Sequence, residues 1–315
     1  MTAKPDKRNW GRAALWVLAL ATFAGLLLAS ANLRDLLLEA ARLVTPLAVL
    51  ATLPGQAAAA FLCAGALWAL KPGVGFLSCF ISRLLRDASG NLPVSLPGSS
   101  TVIGARALVL TGGETRAAIS ASALDKAAET AAQIPFILLA AFILWHQLEG
   151  YVRLPHWTVL ATLAVGLVAL VAGGLTLWRF GRHSRLAKRL REEARHLLAE
   201  AKRQRSGLPL CFLLHFIAWC AGGVQIWMAG LALGFDLTLW EAIAIESAAY
   251  AGRALFFFIP AGLVSQEAGL VAAGLIFGLA PAEALALGFV LRLRDAVMAA
   301  ALLLWPWLEW RGRRS

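Results

Sequence analysis

Glu246, Arg253, Glu267, Arg292, Arg294 and Asp295 stand in sequence otherwise apolar enough to sit in a bilayer. A charge at membrane depth costs roughly 2.5–3.5 kcal/mol on insertion scales, so it is kept where it faces another charge, a water-filled cavity or a substrate. Glu246 and Arg253 are seven residues apart, two turns along one helical face. Arg253 precedes a break at Phe256–Pro260, and Glu267 follows it in Ser265-Gln266-Glu267-Ala268-Gly269. A helix restarting there would direct free N–H groups and its positive end at Glu267 or at an anionic ligand. Arg292 and Asp295 are three apart and can pair along a helix. In the first half Asp125 and Glu129 are four apart, and Arg106 lies in a matching short segment.

These residues, with Pro260 and Gln266 at the break, are the candidates for substrate binding or gating. The alternative is that the charges only neutralise one another and hold two halves together. That alternative is expected for Arg292 with Asp295, and a substrate or gating role for Arg253 and Glu267. Paired carboxylates can do acid–base work. No nucleophile, metal-ligand spacing or phosphate loop accompanies these, so no catalytic residue, metal or cofactor is expected.

Composition sets the class. Apolar residues make up 60% of the 315 residues and charged residues 15%, and mean hydropathy is +0.72. A soluble domain is nearer half apolar and a quarter charged. The expected fold class is therefore an all-α polytopic membrane protein. The net charge of +11 does not signal nucleic acid, because the basic residues flank apolar runs. They fall at Lys4–Arg12, at Arg179–Arg205 with ten Lys/Arg against three Glu, and at Arg311–Arg314. Positive charge beside spans marks the cytoplasmic side. Cys63, Cys79, Cys211 and Cys220 form no CxxC pair and read as small buried hydrophobes. The five histidines show no ligand spacing.

Apolar runs predict six full spans at about 13–31, 47–70, 117–145, 157–178, 209–234 and 282–308. The first resembles a signal peptide ending at Ala29-Ser30-Ala31, but Trp10 and Trp16 favour a retained anchor. With the N-terminus, the basic linker and the C-terminus all cytoplasmic, two segments cannot be simple spans: 73–112 and 241–279. Each is a re-entrant hairpin or an interfacial segment, since broken helices at membrane depth need protein or water over the loose backbone.

The two segments resemble each other. A Leu96-Pro97-Gly98 or Ile259-Pro260-Ala261-Gly262 turn leads to a short apolar run, a Gly112-Gly113 or Gly278 break, and a long span. That pattern predicts an inverted repeat. The expected organisation is 1–46 (N-terminal cytoplasmic segment, first span, external loop), 47–178 (repeat 1 with a cytoplasmic-side hairpin), 179–208 (basic linker) and 209–315 (repeat 2 with an external-side hairpin). The linker reads as an amphipathic helix on anionic lipid headgroups or as a solvated tether.

The run Glu246-Ser247-Ala248-Ala249-Tyr250-Ala251-Gly252-Arg253, then Phe257-Phe258-Ile259-Pro260-Ala261-Gly262-Leu263 and Gln266-Glu267-Ala268-Gly269, resembles the membrane-domain family of lysylphosphatidylglycerol synthases. Leu291-Arg292-Leu293-Arg294-Asp295 and the stretch Pro93 to Glu129 are similar to its hopanoid-biosynthesis-associated branch in Gram-negative bacteria. Two positions depart. Ile103 stands where an acidic residue is usual, and Val264 where a glycine is usual. In the synthases such a domain moves the modified lipid between leaflets, and a separate soluble domain makes it. The resemblance thus implies an inner-membrane, flippase-like lipid transporter of hopanoid metabolism, without synthase activity. Its expected partners are a hopanoid or phospholipid substrate, hopanoid-biosynthetic enzymes and a second copy of the chain, with no nucleic acid. The rival readings are an intramembrane transferase that conjugates a hopanoid to another lipid, and a non-catalytic scaffold for hopanoid enzymes.

Overall fold

A computed structural model describes residues 31–92, 98–148, 192, 195, 198–255 and 264–312, and every element among them is helical. Residues 13–30 of the first expected span, all of the fourth, most of the linker and the residues around Pro260 lie outside this set. The helices are α1 (Ala31–Leu43), α2 (Pro46–Ala69), α3 (Phe76–Gly90), α4 (Ser99–Leu110) and α5 (Thr115–Leu148). They continue as α6 (Leu208–Leu233), α7 (Leu239–Leu255), α8 (Ser265–Ile276), α9 (Pro281–Met298) and α10 (Leu304–Gly312).

Among the described residues three helices are long and apolar enough to cross a membrane: Pro46–Ala69, Thr115–Gln147 and Leu208–Leu233. They coincide with the second, third and fifth expected spans. The expected span 282–308 is not one helix. It runs as α9, a 3-10 segment at Ala299–Leu303, and α10. Pro306 explains the change: it has no N–H for the Leu302 carbonyl, and its ring crowds that turn. The expected external loop before residue 46 contains α1. Leu36, Leu37, Ala40 and Leu43 recur at helical spacing and pack on Ala282, Leu285 and Phe289.

The segment 73–112 is a helical hairpin, α3 followed by α4, and 241–279 is largely a second, α7 followed by α8. At 1.5 Å per residue these helices reach only about 18–25 Å, short of a bilayer core of about 30 Å. Both hairpins end alike. Gly113 N–H donates to the Leu108 carbonyl (2.9 Å) and Gly112 N–H to Val109 (3.0 Å). Leu279 N–H donates to Gly274 (3.0 Å) and Gly278 N–H to Leu275 (3.2 Å). This is one Schellman turn made twice, with Gly112 (φ 101°) and Gly278 (φ 82°) in the left-handed position that side chains avoid. Each short helix also starts after a left-handed residue, Gly98 (φ 83°) in one and Val264 (φ 69°) in the other.

The hairpins and long helices pack through small residues. α2 lies along α6. α7 and α8 touch backbone to backbone, because a Cβ at Gly269 would stand 2.4 Å from the Ala248 carbonyl oxygen. Close approach through small residues is how helices associate where lipid removes the hydrophobic drive. Leu270, Leu287, Leu291, Ile226 and Ile245 fill the centre of the second half. Phe61, Val102, Ile119, Ile134 and Phe142 face outward, as they would toward lipid.

Candidate functional site

Two buried polar clusters lie on either side of α6. The first joins α3, α5 and α6. Arg83 and Arg86 are three apart on α3, Asp125 and Glu129 four apart on α5, and His215 and Trp219 four apart on α6, so each pair shares a face. Arg83 donates to Glu129 (3.1 Å) and to Asp87 (2.8 Å). Arg86 bridges Asp125 and Glu129. His215 Nε2 lies 2.8 Å from Asp125 Oδ1, and Trp219 Nε1 donates to the Glu129 carbonyl (3.1 Å). Lys126, half exposed, adds a third cation on Glu129 at 3.0 Å. Arg83, Arg86 and Lys126 thus balance Asp87, Asp125 and Glu129. Asp125 is 0% and His215 1% exposed. All four carboxylate oxygens of Asp125 and Glu129 are engaged, while Arg83 Nη1, His215 Nδ1 and the Ser122 hydroxyl on α5 are buried without a partner among the described residues. A buried network with its carboxylates paired fixes the relative position of three helices.

Asp125, Cys211 and His215 bring three metal-ligand types within 4.8 Å of one another. They do not suit a dication. Both oxygens of Asp125 are already engaged, one by Arg86 and one by His215, and the guanidinium would repel the ion. All four cysteines are free thiols.

The second cluster joins α6, α7, α8 and α9. Arg294 donates to Asp295 (2.8 Å) and to Gln225. Glu246 lies 1% exposed on α7, turned toward Gly222 of α6, where a Cβ would be 2.9 Å from its Oε1. Glu267 stands in the first turn of α8 and accepts from Arg292 at 2.7 Å. Several acceptors here are buried without a hydrogen-bond partner among the described residues: Glu246 Oε2, Gln266 Oε1 and Glu267 Oε2. Arg253 is half-buried in the last turn of α7, with no ion pair among the described residues.

The clusters connect through α6. His215 and Gln225 are ten residues apart, about 15 Å along the helix. Between them Trp219 stacks on Phe136 (centroids 5.9 Å apart) and meets Tyr250 edge-on (4.6 Å). Ser247 of α7 donates to the Phe136 carbonyl at 3.1 Å.

Two sequence expectations change. Arg106 is not in the first-half cluster. Its side chain is 50% exposed and pairs with Glu309 of α10 at 3.2 Å, because it points away from α5, the helix that carries the acids. Arg83 and Arg86, not singled out in the sequence, take its place. Arg292 does not pair with Asp295, since the adjacent Arg294 holds that carboxylate and α8 brings Glu267 to Arg292. Asp125, Glu129, Glu246, Gln266, Glu267, Arg292, Arg294 and Asp295 all fall in the two clusters, and Pro260 lies outside the described residues.

The end of the linker docks on the start of α5. Glu114, Arg116, Ala117 and Ser120 there line a pocket with Glu200 and Arg203. Arg203 donates to Glu200 (2.7 Å), and this hydrogen bond holds the Glu200 carboxyl below the usual carboxylate range.

Residues 16–302 match the family model of the lysylphosphatidylglycerol synthase TM region. No curated protein and no solved structure matches the chain.

Proposed function

The chain belongs to the lysylphosphatidylglycerol synthase TM-region family, a multi-pass membrane family tied to lipid, and from that membership we propose that it moves a lipid between membrane leaflets. The observation that carries this reading is the second cluster, where Glu246, Gln266 and Glu267 keep buried oxygens without partners among the described residues, close to where α8 starts after the left-handed Val264. Unfilled polar groups at such a helix start suit a headgroup passing through, while its tail or ring system stays in the bilayer. Arg253 contacts an anionic or hydroxylated headgroup, and the Glu267–Arg292 pair orients it.

The two half-length hairpins with the same closing turn support an inverted repeat, in which one half rocks against the other. The closed first cluster would then belong to the rigid body, with the second lining the path. The cargo is a hopanoid or a hopanoid-bearing lipid, the setting the inner membrane with cytoplasmic termini, and the role that of a transporter rather than an enzyme. This rests on the branch-like Leu291-Arg292-Leu293-Arg294-Asp295 run and on the basic flanks. Lipid analysis of separated inner and outer membranes from a deletion strain tests it. Hopanoids made in normal amounts but stranded in the wrong membrane are expected. Loss of a hopanoid conjugate, with its precursor accumulating in the right place, would replace transport by intramembrane transfer.

A further inference from the structure

Glu246 is the least compensated charge in the second cluster. No hydrogen bond reaches it from the described residues, and its Oε2 is buried without a partner. The nearby cation does not serve it, because the Arg294 nitrogens are bonded to Asp295 and Gln225. The charges acting on Glu246 are Arg294 and Asp295 from α9 and Arg253 two turns along α7. Tyr250 lies one turn along its own helix. Against it, α6 presents Gly222, and the carboxylate of α8, Glu267, is held by Arg292. Arg294 and Asp295 cancel, so an ionised Glu246 would leave a negative charge stranded in the α6–α7 contact. Stranding a buried charge costs several kcal/mol. A proton on one oxygen removes that charge.

The position suits a moving part. Gly222 and Gly223 make α6 thin where it meets Glu246 and Ile243, so these two α7 side chains sit directly against the α6 backbone and the contact there is made without α6 side chains. Parting them would admit water to the carboxyl and bring it within reach of Arg253.

We propose that Glu246 carries a proton in this closed arrangement and gives it up to water when α6 and α7 part, so that one proton is taken up on one side of the membrane and released on the other for each cycle. This rests on the lipid-moving reading above and names its drive, a proton gradient.

Two readouts on the full-length protein separate the proposal from that reading. The first is infrared difference spectroscopy of wild type against Glu246→Gln at neutral pH, in H2O and D2O. A protonated-carboxyl stretch that shifts in D2O and vanishes in the variant is expected. Its absence from wild type overturns the assignment. Gly222→Ala would push only the flexible end of Glu246, so the band should shift in a protein that still folds. An unmoved band in that variant argues against Glu246 as its source. The second is movement of a fluorescent phospholipid in proteoliposomes under an imposed pH gradient. Wild type should change rate severalfold when the gradient is reversed, and Glu246→Gln should not respond. Wild-type movement that ignores the gradient overturns the coupling and leaves lipid movement standing. A carboxyl band without any lipid movement supports the proton on Glu246 and overturns the lipid-moving reading instead.

Discussion

The two polar clusters hold similar residues and solve the problem of buried charge in opposite ways. Around α3, α5 and α6, Arg83, Arg86, Asp125, Glu129 and His215 lock together, and both oxygens of each of Asp125 and Glu129 are engaged, so that the atoms left without partners there are nitrogens, Arg83 Nη1 and His215 Nδ1, and the Ser122 hydroxyl. Around α6 to α9, the pairs Arg292–Glu267 and Arg294–Asp295 form, yet Glu246, Gln266 and Glu267 keep unfilled oxygens. A closed network holds helices in place. An open one leaves capacity for a ligand or a proton. The difference teaches that charge at membrane depth is not by itself a site, and that a buried carboxylate oxygen left without a partner is a better guide than charge alone.

The comparison can be broken by mutation. Arg86→Ala leaves Asp125 in a fully buried place with His215 alone, while Glu129 keeps Arg83 and Lys126, so it should destabilise by about 3–5 kcal/mol, read as a large fall in the detergent-solubilised melting temperature. A wild-type melting curve would show that the first cluster is not a lock. Gln225→Ala removes one acceptor from Arg294 in the looser second cluster. The expected loss is about 1–3 kcal/mol, that of one buried partner, and a loss equal to that of Arg86→Ala would erase the contrast. Val264 holds a β-branched side chain at φ 69° where the other hairpin has Gly98 at φ 83°. Such strain costs of order 1–3 kcal/mol, offset in part by the freedom glycine gains in the unfolded chain. Val264→Gly should therefore stabilise by about 1 kcal/mol, and a lower melting temperature would mean the turn is not strained. Arg106→Ala breaks an exposed pair with Glu309 and should change stability by less than about 1 kcal/mol, detectable only as a small shift in the same melt.

Much of this arrangement was legible in the sequence. The spacing of Asp125 and Glu129 put both acids on one helical face, and the break before Ser265 put Glu267 in a first turn. Both hold because they depend only on the helical period and on local turn chemistry. Arg83 and Arg86 were passed over because 73–112 reads as a Gly-, Pro- and Ser-rich break. The available signal was their i, i+3 spacing inside the apolar run Phe80-Ile81-Ser82-Arg83-Leu84-Leu85-Arg86. His215 carried no signal, being a single histidine in an apolar span whose partner lies 90 residues away. Partner choice was not legible either. Arg292 and Asp295 have good pairing distance along a helix, but the packing of α8 on α9 and the reach of Arg294 decide the outcome. The α1 helix was missed because its balanced charges resemble a loop, while its apolar positions carry the helical period.

The central claim is that the second cluster, not the first, handles the lipid. The most direct measurement is movement of a fluorescent phospholipid between leaflets of proteoliposomes by wild type and Glu267→Gln, with melting curves of both. The account predicts that wild type accelerates the movement, and that Glu267→Gln abolishes it while melting within a few degrees of wild type. Movement at the wild-type rate by a well-folded Glu267→Gln would contradict it.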